Sequence, residues 1–142
     1  MNKLELISHF ESCTLPKEVW THGAHLQVAL WYISQEPDLW SAACLLKAGI
    51  ISRNRSVGTP NTGTKGYHET ITMFWAAEIN DFYQRHKHLS FDEIYDLLLK
   101  TPKFSDKHYI KQFYSNDVLR TPEARAVYIR PERTPANYLH LR

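Results

Sequence analysis

The stretch Gly66-Tyr67-His68-Glu69-Thr70-Ile71-Thr72-Met73-Phe74-Trp75 constrains the fold most strongly, because ionisable groups open a segment that otherwise has the pattern of a buried helix. His68 is followed by Ile71, Thr72, Trp75, Ile79 and Phe82, the i, i+3, i+4, i+7 recurrence of a core-facing stripe. The spacing predicts a helix from about Tyr67 to Arg85, with the His68 imidazole pointing inward in its first turn, at one end of a bundle. Groups suited to chemistry and groups suited to packing then share one surface.

The rest of the chain has the same period. Leu4, Ile7 and Phe10 predict a short amphipathic helix over about 3–12, and Pro16 suits the first turn of a second helix reaching about Ser34. His22, His25, Leu26, Ala29, Leu30 and Ile33 form its inner face. Gly23 between the histidines costs roughly 1 kcal/mol against alanine in a helix interior, so it marks a close approach or a local break. Asp38 is placed to cap a third helix from Leu39 to about Asn54, whose stripe Leu39, Ala42, Ala43, Leu46, Ile50 brings Arg53 to its end. Residues 57–66 hold three of the five glycines and Pro60, and read as a loop able to lie over a pocket as a lid.

After the central helix, His86-Lys87-His88 reads as an exposed polar linker. Ser90-Phe91-Asp92-Glu93 matches a capping box and opens a fifth helix that ends before Pro102. A sixth is expected over about 106–114, a short helix at 121–125, and an extended tail beyond. No internal repeat and no strand-like alternation is present, so the class is all-α. We expect a compact bundle of about five or six helices forming a single domain over 1–142, with a core at about 3–115 and a C-terminal short helix and tail at about 116–142.

Composition limits the function. The 142 residues carry a formal charge of +2 with no basic cluster before the last third, which argues against nucleic acid as the main partner. Arg120, Arg125, Arg130, Arg133 and Arg142 give the C-terminal region a local positive bias, read as a solvated tail or as a contact for an anion or partner chain. Cys13 and Cys44 have no metal-site or disulfide-framework spacing, and no apolar run is long enough for a membrane span. A cytoplasmic protein without membrane partners is expected. Aromatics are 13% of the chain, enough for large flat walls in a core or a ligand pocket.

Short connections favour antiparallel neighbours, so the start of the second helix, the end of the third and the start of the fourth should meet at one end of the bundle. His22 and His25, Arg53 and Asn54, and His68 and Glu69 occupy those places. Two chemistries fit. In one, His22, His25 and His68 hold a divalent ion (zinc, iron or manganese), with Glu69 as a fourth ligand, an outer-sphere group or a general base. His68 and Glu69, being adjacent, point about 100° apart on a helix, which complicates a joint role. In the other, no metal is involved: one histidine works as acid or base beside Glu69, Arg53 fixes an anionic group, and Trp20, Asn54, Tyr67 and Thr72 complete the substrate contacts. The bland alternative is a set of buried histidines, hydrogen-bonded to Glu69, Thr72 and Tyr67, that only specify the core.

The motifs Trp20-x-His22-x-x-His25-Leu26 and Gly66-Tyr67-His68-Glu69-Thr70-x-Thr72, with Arg53, Asn54 and Phe113-Tyr114-Ser115, resemble a family of small bacterial all-helical proteins without an assigned reaction. The resemblance spans roughly residues 15–130 and implies a helical domain with a shared polar site. A looser likeness is to the DinB and YfiT kind of bundle, where three histidines hold a divalent ion; here the first pair is spaced i, i+3 and the third histidine opens a later helix.

The leading expectation is therefore a small enzyme or enzyme-like domain whose histidine-rich, metal-binding or metal-free pocket acts on a small polar or anionic molecule, by hydrolysis or another proton transfer. The alternatives are a binding or sensing protein that holds such a ligand without turnover, and a structural helical domain whose aromatics and arginine tail form an interface, with a homodimer among the assemblies open to it.

Overall fold

The computed structural model describes residues 1–135 and is all-helical over that span. Helix α1 (Lys3–Glu11) is capped by the Asn2 side chain, α2 (His22–Gln35) by Thr21 and α3 (Leu39–Ser56) by Asp38. Helix α4 (Glu69–His86) takes its cap from the His68 ring, and α5 (Phe91–Lys100) opens with the Ser90–Glu93 capping box in both directions. Four short helices or turns follow: α6 (Pro102–Ser105), a 3-10 turn at Tyr109–Gln112, α7 (Asn116–Leu119) and α8 (Pro122–Ala126).

Several boundaries differ from expectation for identifiable reasons. Residues after Pro16 form only a 3-10 turn, Lys17–Val19, because Thr21 restarts the chain by accepting from the Ala24 N–H. Gly23 thus sits in the first turn of α2, where interior helix cost does not apply. The expected helix over 106–114 is reduced to the 3-10 turn, and the last residue of α4 is His86, half-buried with Nδ1 2.7 Å from the Phe82 carbonyl.

The three longest helices, α2, α3 and α4, pack on one another around Val28, Leu30, Phe74 and Ile79, all essentially without exposure. Phe74 lies 4.9 Å from Phe113 and 5.3 Å from Trp75, ring centre to ring centre, in an aromatic cluster that includes Tyr109 and Tyr114. Each such side chain contributes about 1.5–3 kcal/mol by burial alone. The clustering explains the aromatic surplus mainly as core.

The C-terminal segment is extended but fastened. Thr70, fully buried, donates its hydroxyl toward the Ala124 carbonyl at 2.7 Å and accepts the Ile129 N–H at 3.0 Å. The Tyr114 hydroxyl donates to the Ile129 carbonyl at 2.6 Å, and the Glu132 carboxylate accepts the Ser115 N–H. Arg133 donates to the Lys111 carbonyl at 2.7 Å, while Arg120 and Arg130 are exposed; Arg142 lies outside the described residues. Part of the arginine-rich segment is thus a structural strap. Among the described residues no helix is long and apolar enough to cross a membrane.

Candidate functional site

Start of α2, later half of α3 and start of α4 do converge. A cavity of about 340 Å³ lies between them, walled by His22, His25, Leu46, Ile50, Ile71 and Trp75, with Thr72 and, from the 3-10 region, Lys107 and Ile110. Its walls are mostly hydrocarbon and indole, broken by two imidazoles, one hydroxyl and one ammonium. Volume and lining are those of a small-molecule pocket.

The two histidines are held differently. His25 Nδ1 is 2.6 Å from the Thr21 carbonyl oxygen, an acceptor only, so Nδ1 carries the proton and Nε2 keeps the lone pair. Its ring stacks on Trp20 at 3.7 Å between centres. Burial pushes its pKa down to about 4, with the positive charge of Arg53 working the same way, so the ring is neutral at neutral pH. His22 meets Trp75 edge to face at 4.9 Å, and its Nε2 is buried without a hydrogen-bond partner. Burial also lowers its pKa, opposed by the Phe104 backbone and Asp106.

Behind the His25 wall stands Arg53, 5% exposed. Its guanidinium carbon is 5.5 Å from the Trp20 ring centre, and among the described residues its Nε meets no acceptor and its one hydrogen bond is a 3.4 Å contact from Nη1 to the Asn54 side-chain oxygen. No carboxylate of the described residues pairs with it. Burial pulls its pKa down, as expected for a shielded cation. Asn54 in turn donates to Asn61 at 3.0 Å, tying the 57–66 loop to α3, and Trp20 is packed between Phe10 and His25. Trp20, Arg53 and Asn54 therefore support the cavity wall without lining it.

His68 and Glu69 go elsewhere. His68 Nδ1 accepts the Ile71 N–H at 3.1 Å as the cap of α4, which leaves Nε2–H to donate to the Leu119 carbonyl at 2.8 Å. Both ring nitrogens are committed to structure. Glu69 is buried on a different face, accepting the Tyr67 hydroxyl at 2.6 Å and lying 2.9 Å from the Lys47 ammonium. Burial and that carboxylate raise the Tyr67 pKa, and the Thr72 side chain lies beside the phenol. Lys47, Tyr67 and Glu69 line a second cavity, beneath the loop, that shares no wall residue with the first, and His68 lines neither.

The convergence expected of three clusters thus divides: His22, His25 and Thr72 share a cavity, Arg53 backs it, and Tyr67 and Glu69 face away. Among the described residues no group of three His, Cys, Asp or Glu side chains is arranged to hold a metal ion. Lys47 and Lys107 enter the cavity walls by tertiary packing, with no local motif to mark them, and Arg125, one of the C-terminal arginines with the positive bias noted in the sequence, lines the second cavity. No protein-family model, curated protein or solved structure matches the chain. Function must therefore be reasoned from the cavities themselves.

Proposed function

We propose that this chain binds a small molecule with a flat apolar body and one hydrogen-bonding group, seated between α2, α3 and α4 with the polar group against His22 and His25. The observation that carries this is the cavity itself: apolar walls around two imidazoles, one of them, His25, fixed in a single neutral tautomer. The positive charge of Arg53 behind His25 disfavours a cationic ligand, and the lone pair on His25 Nε2 calls for a group that can donate, such as a hydroxyl.

Binding is favoured over proton transfer by the same geometry. A general base works best with a pKa near the working pH, and His25, at about 4, is a weak one. An enzyme at this site would need His22 or an incoming group to do the acid–base work.

A second reading keeps the divalent ion. His22 and His25 lie one turn apart, and the Thr21 carbonyl fixes His25 in the tautomer that ligates through Nε2. Zinc, iron or manganese held by this pair would take its remaining ligands from water or the bound molecule, because His68 and Glu69 are engaged. Elemental analysis after incubation with each metal distinguishes the readings: about one equivalent in the wild type and none in His22→Ala/His25→Ala supports the ion.

The ligand reading is tested by calorimetric titration with benzyl alcohol, in the wild type and in Ala29→Phe, which fills the cavity from α2. Saturable binding lost in the variant supports it; no saturable heat in the wild type, or equal heats in both, rejects it.

A further inference from the structure

The second cavity, an open groove of about 480 Å³, is lined by the 57–66 loop, α3, the start of α4 and α8. It is a built space. Gly66 at φ +83° carries the chain into Tyr67, and a Cβ there would collide with the Pro60 carbonyl oxygen. Asn61 accepts the Tyr67 N–H at 2.9 Å, and Gly63 lies against Pro122.

Charge in this cavity does not balance. Two cations, Lys47 and Arg125, and one carboxylate, Glu69, line it. Lys47 lies within 3.0 Å of both Glu69 oxygens, and the Tyr67 hydroxyl adds a charge-assisted hydrogen bond, so Glu69 is satisfied. Arg125 is the remainder. Its Nη1 donates to the Gly66 carbonyl at 3.0 Å and to the Tyr67 carbonyl at 3.4 Å, both neutral acceptors, while its Nε is shielded from solvent without an acceptor among the described residues. Nη2 makes no hydrogen bond among the described residues, and it is the guanidinium donor left for an anion.

We propose that this cavity is a second binding site, specific for a small monocarboxylate with a short apolar body, which Arg125 binds through Nη2 while Ile51 and Pro122 cover the hydrocarbon. One uncompensated positive charge suits a monoanion. The Glu69 carboxylate in the wall disfavours a phosphate dianion. Having separate walls, this site stands or falls independently of the histidine cavity.

The test is a titration of the isotope-labelled full chain with propionate, propionamide and inorganic phosphate at constant ionic strength, following the Arg125 Nε–H and the amides of Gly63 and Ala126. Propionate should shift them saturably, with propionamide at least about tenfold weaker and phosphate weaker than propionate. Glu69→Gln should tighten propionate several-fold and bring phosphate up with it, whereas a carboxylate that only holds the fold would leave affinity unchanged or reduced. Lys47→Gln, altering a side chain that is 41% exposed, should weaken propionate because Glu69 is then uncompensated. The site is refuted if propionate does not saturate, if propionamide matches it, if phosphate binds more tightly to the wild type, or if Glu69→Gln fails to tighten binding. Shifts confined to His22, His25 and Trp75 would also refute it, while leaving the first cavity standing.

Discussion

The His68 Nε2 atom lies 2.8 Å from the Leu119 carbonyl oxygen, joining the first residue before α4 to the end of α7 across 51 positions of sequence. With Nδ1 capping α4, the ring is a clasp between the central helix and the C-terminal strap. His68→Ala should therefore cost about 2 kcal/mol, from a lost cap and an unsatisfied carbonyl. Urea denaturation measures the loss. Benzyl alcohol binding by the folded variant should be unchanged, since His68 does not line the histidine cavity.

Stability should fall with acid before the carboxylates titrate. Burial lowers the pKa of His22, His25 and His68, so below the ordinary histidine value of about 6.5 the unfolded chain binds protons that the folded chain refuses. The stabilisation is complete above that value and is lost as pH falls toward each folded pKa, about 4 for His25. Between pH 7 and pH 5, His25 alone should account for about 2 kcal/mol. Denaturation curves of the wild type and His25→Gln at both pH values check this; equal pH dependence in the two proteins would remove His25 as the cause.

The Thr70 hydroxyl serves the strap at three points, the Ala124 and Val127 carbonyls and the Ile129 N–H. Thr70→Val keeps the shape and removes the hydroxyl, leaving buried backbone groups unsatisfied at about 1–3 kcal/mol. Hydrogen exchange should show protection lost at Ile129 first, with the amides of α2 little changed. Uniform loss across the core would mean that Thr70 acts through packing instead.

What was legible in the sequence was local or periodic. The Ser90–Glu93 box, the Asp38 cap and the inner faces of α2, α3 and α4 follow from spacings of three and four residues, and these alone bring His22, His25 and Arg53 to one end of the bundle. The division of the polar groups was not legible. Its determinants are a carbonyl 51 residues from His68, a lysine 22 residues from Glu69 and an arginine 59 residues from Gly66. The angle of about 100° between successive helical side chains already separated His68 from Glu69. With His68 one residue before the helix as its cap, the two diverge completely. The lid expected at 57–66 exists as a wall, over the second cavity and not over the histidines.

The most direct test of a ligand site between α2, α3 and α4 is a set of intermolecular nuclear Overhauser contacts between benzyl alcohol and the labelled protein. Contacts from the ligand ring to Leu26, Ile50, Ile71 and Trp75, with the hydroxymethyl protons nearest the His22 and His25 rings, are the expected result. Contacts confined to the exposed Trp40 or to the Tyr67 and Ile51 side of the molecule, or none at a saturating concentration, would contradict it.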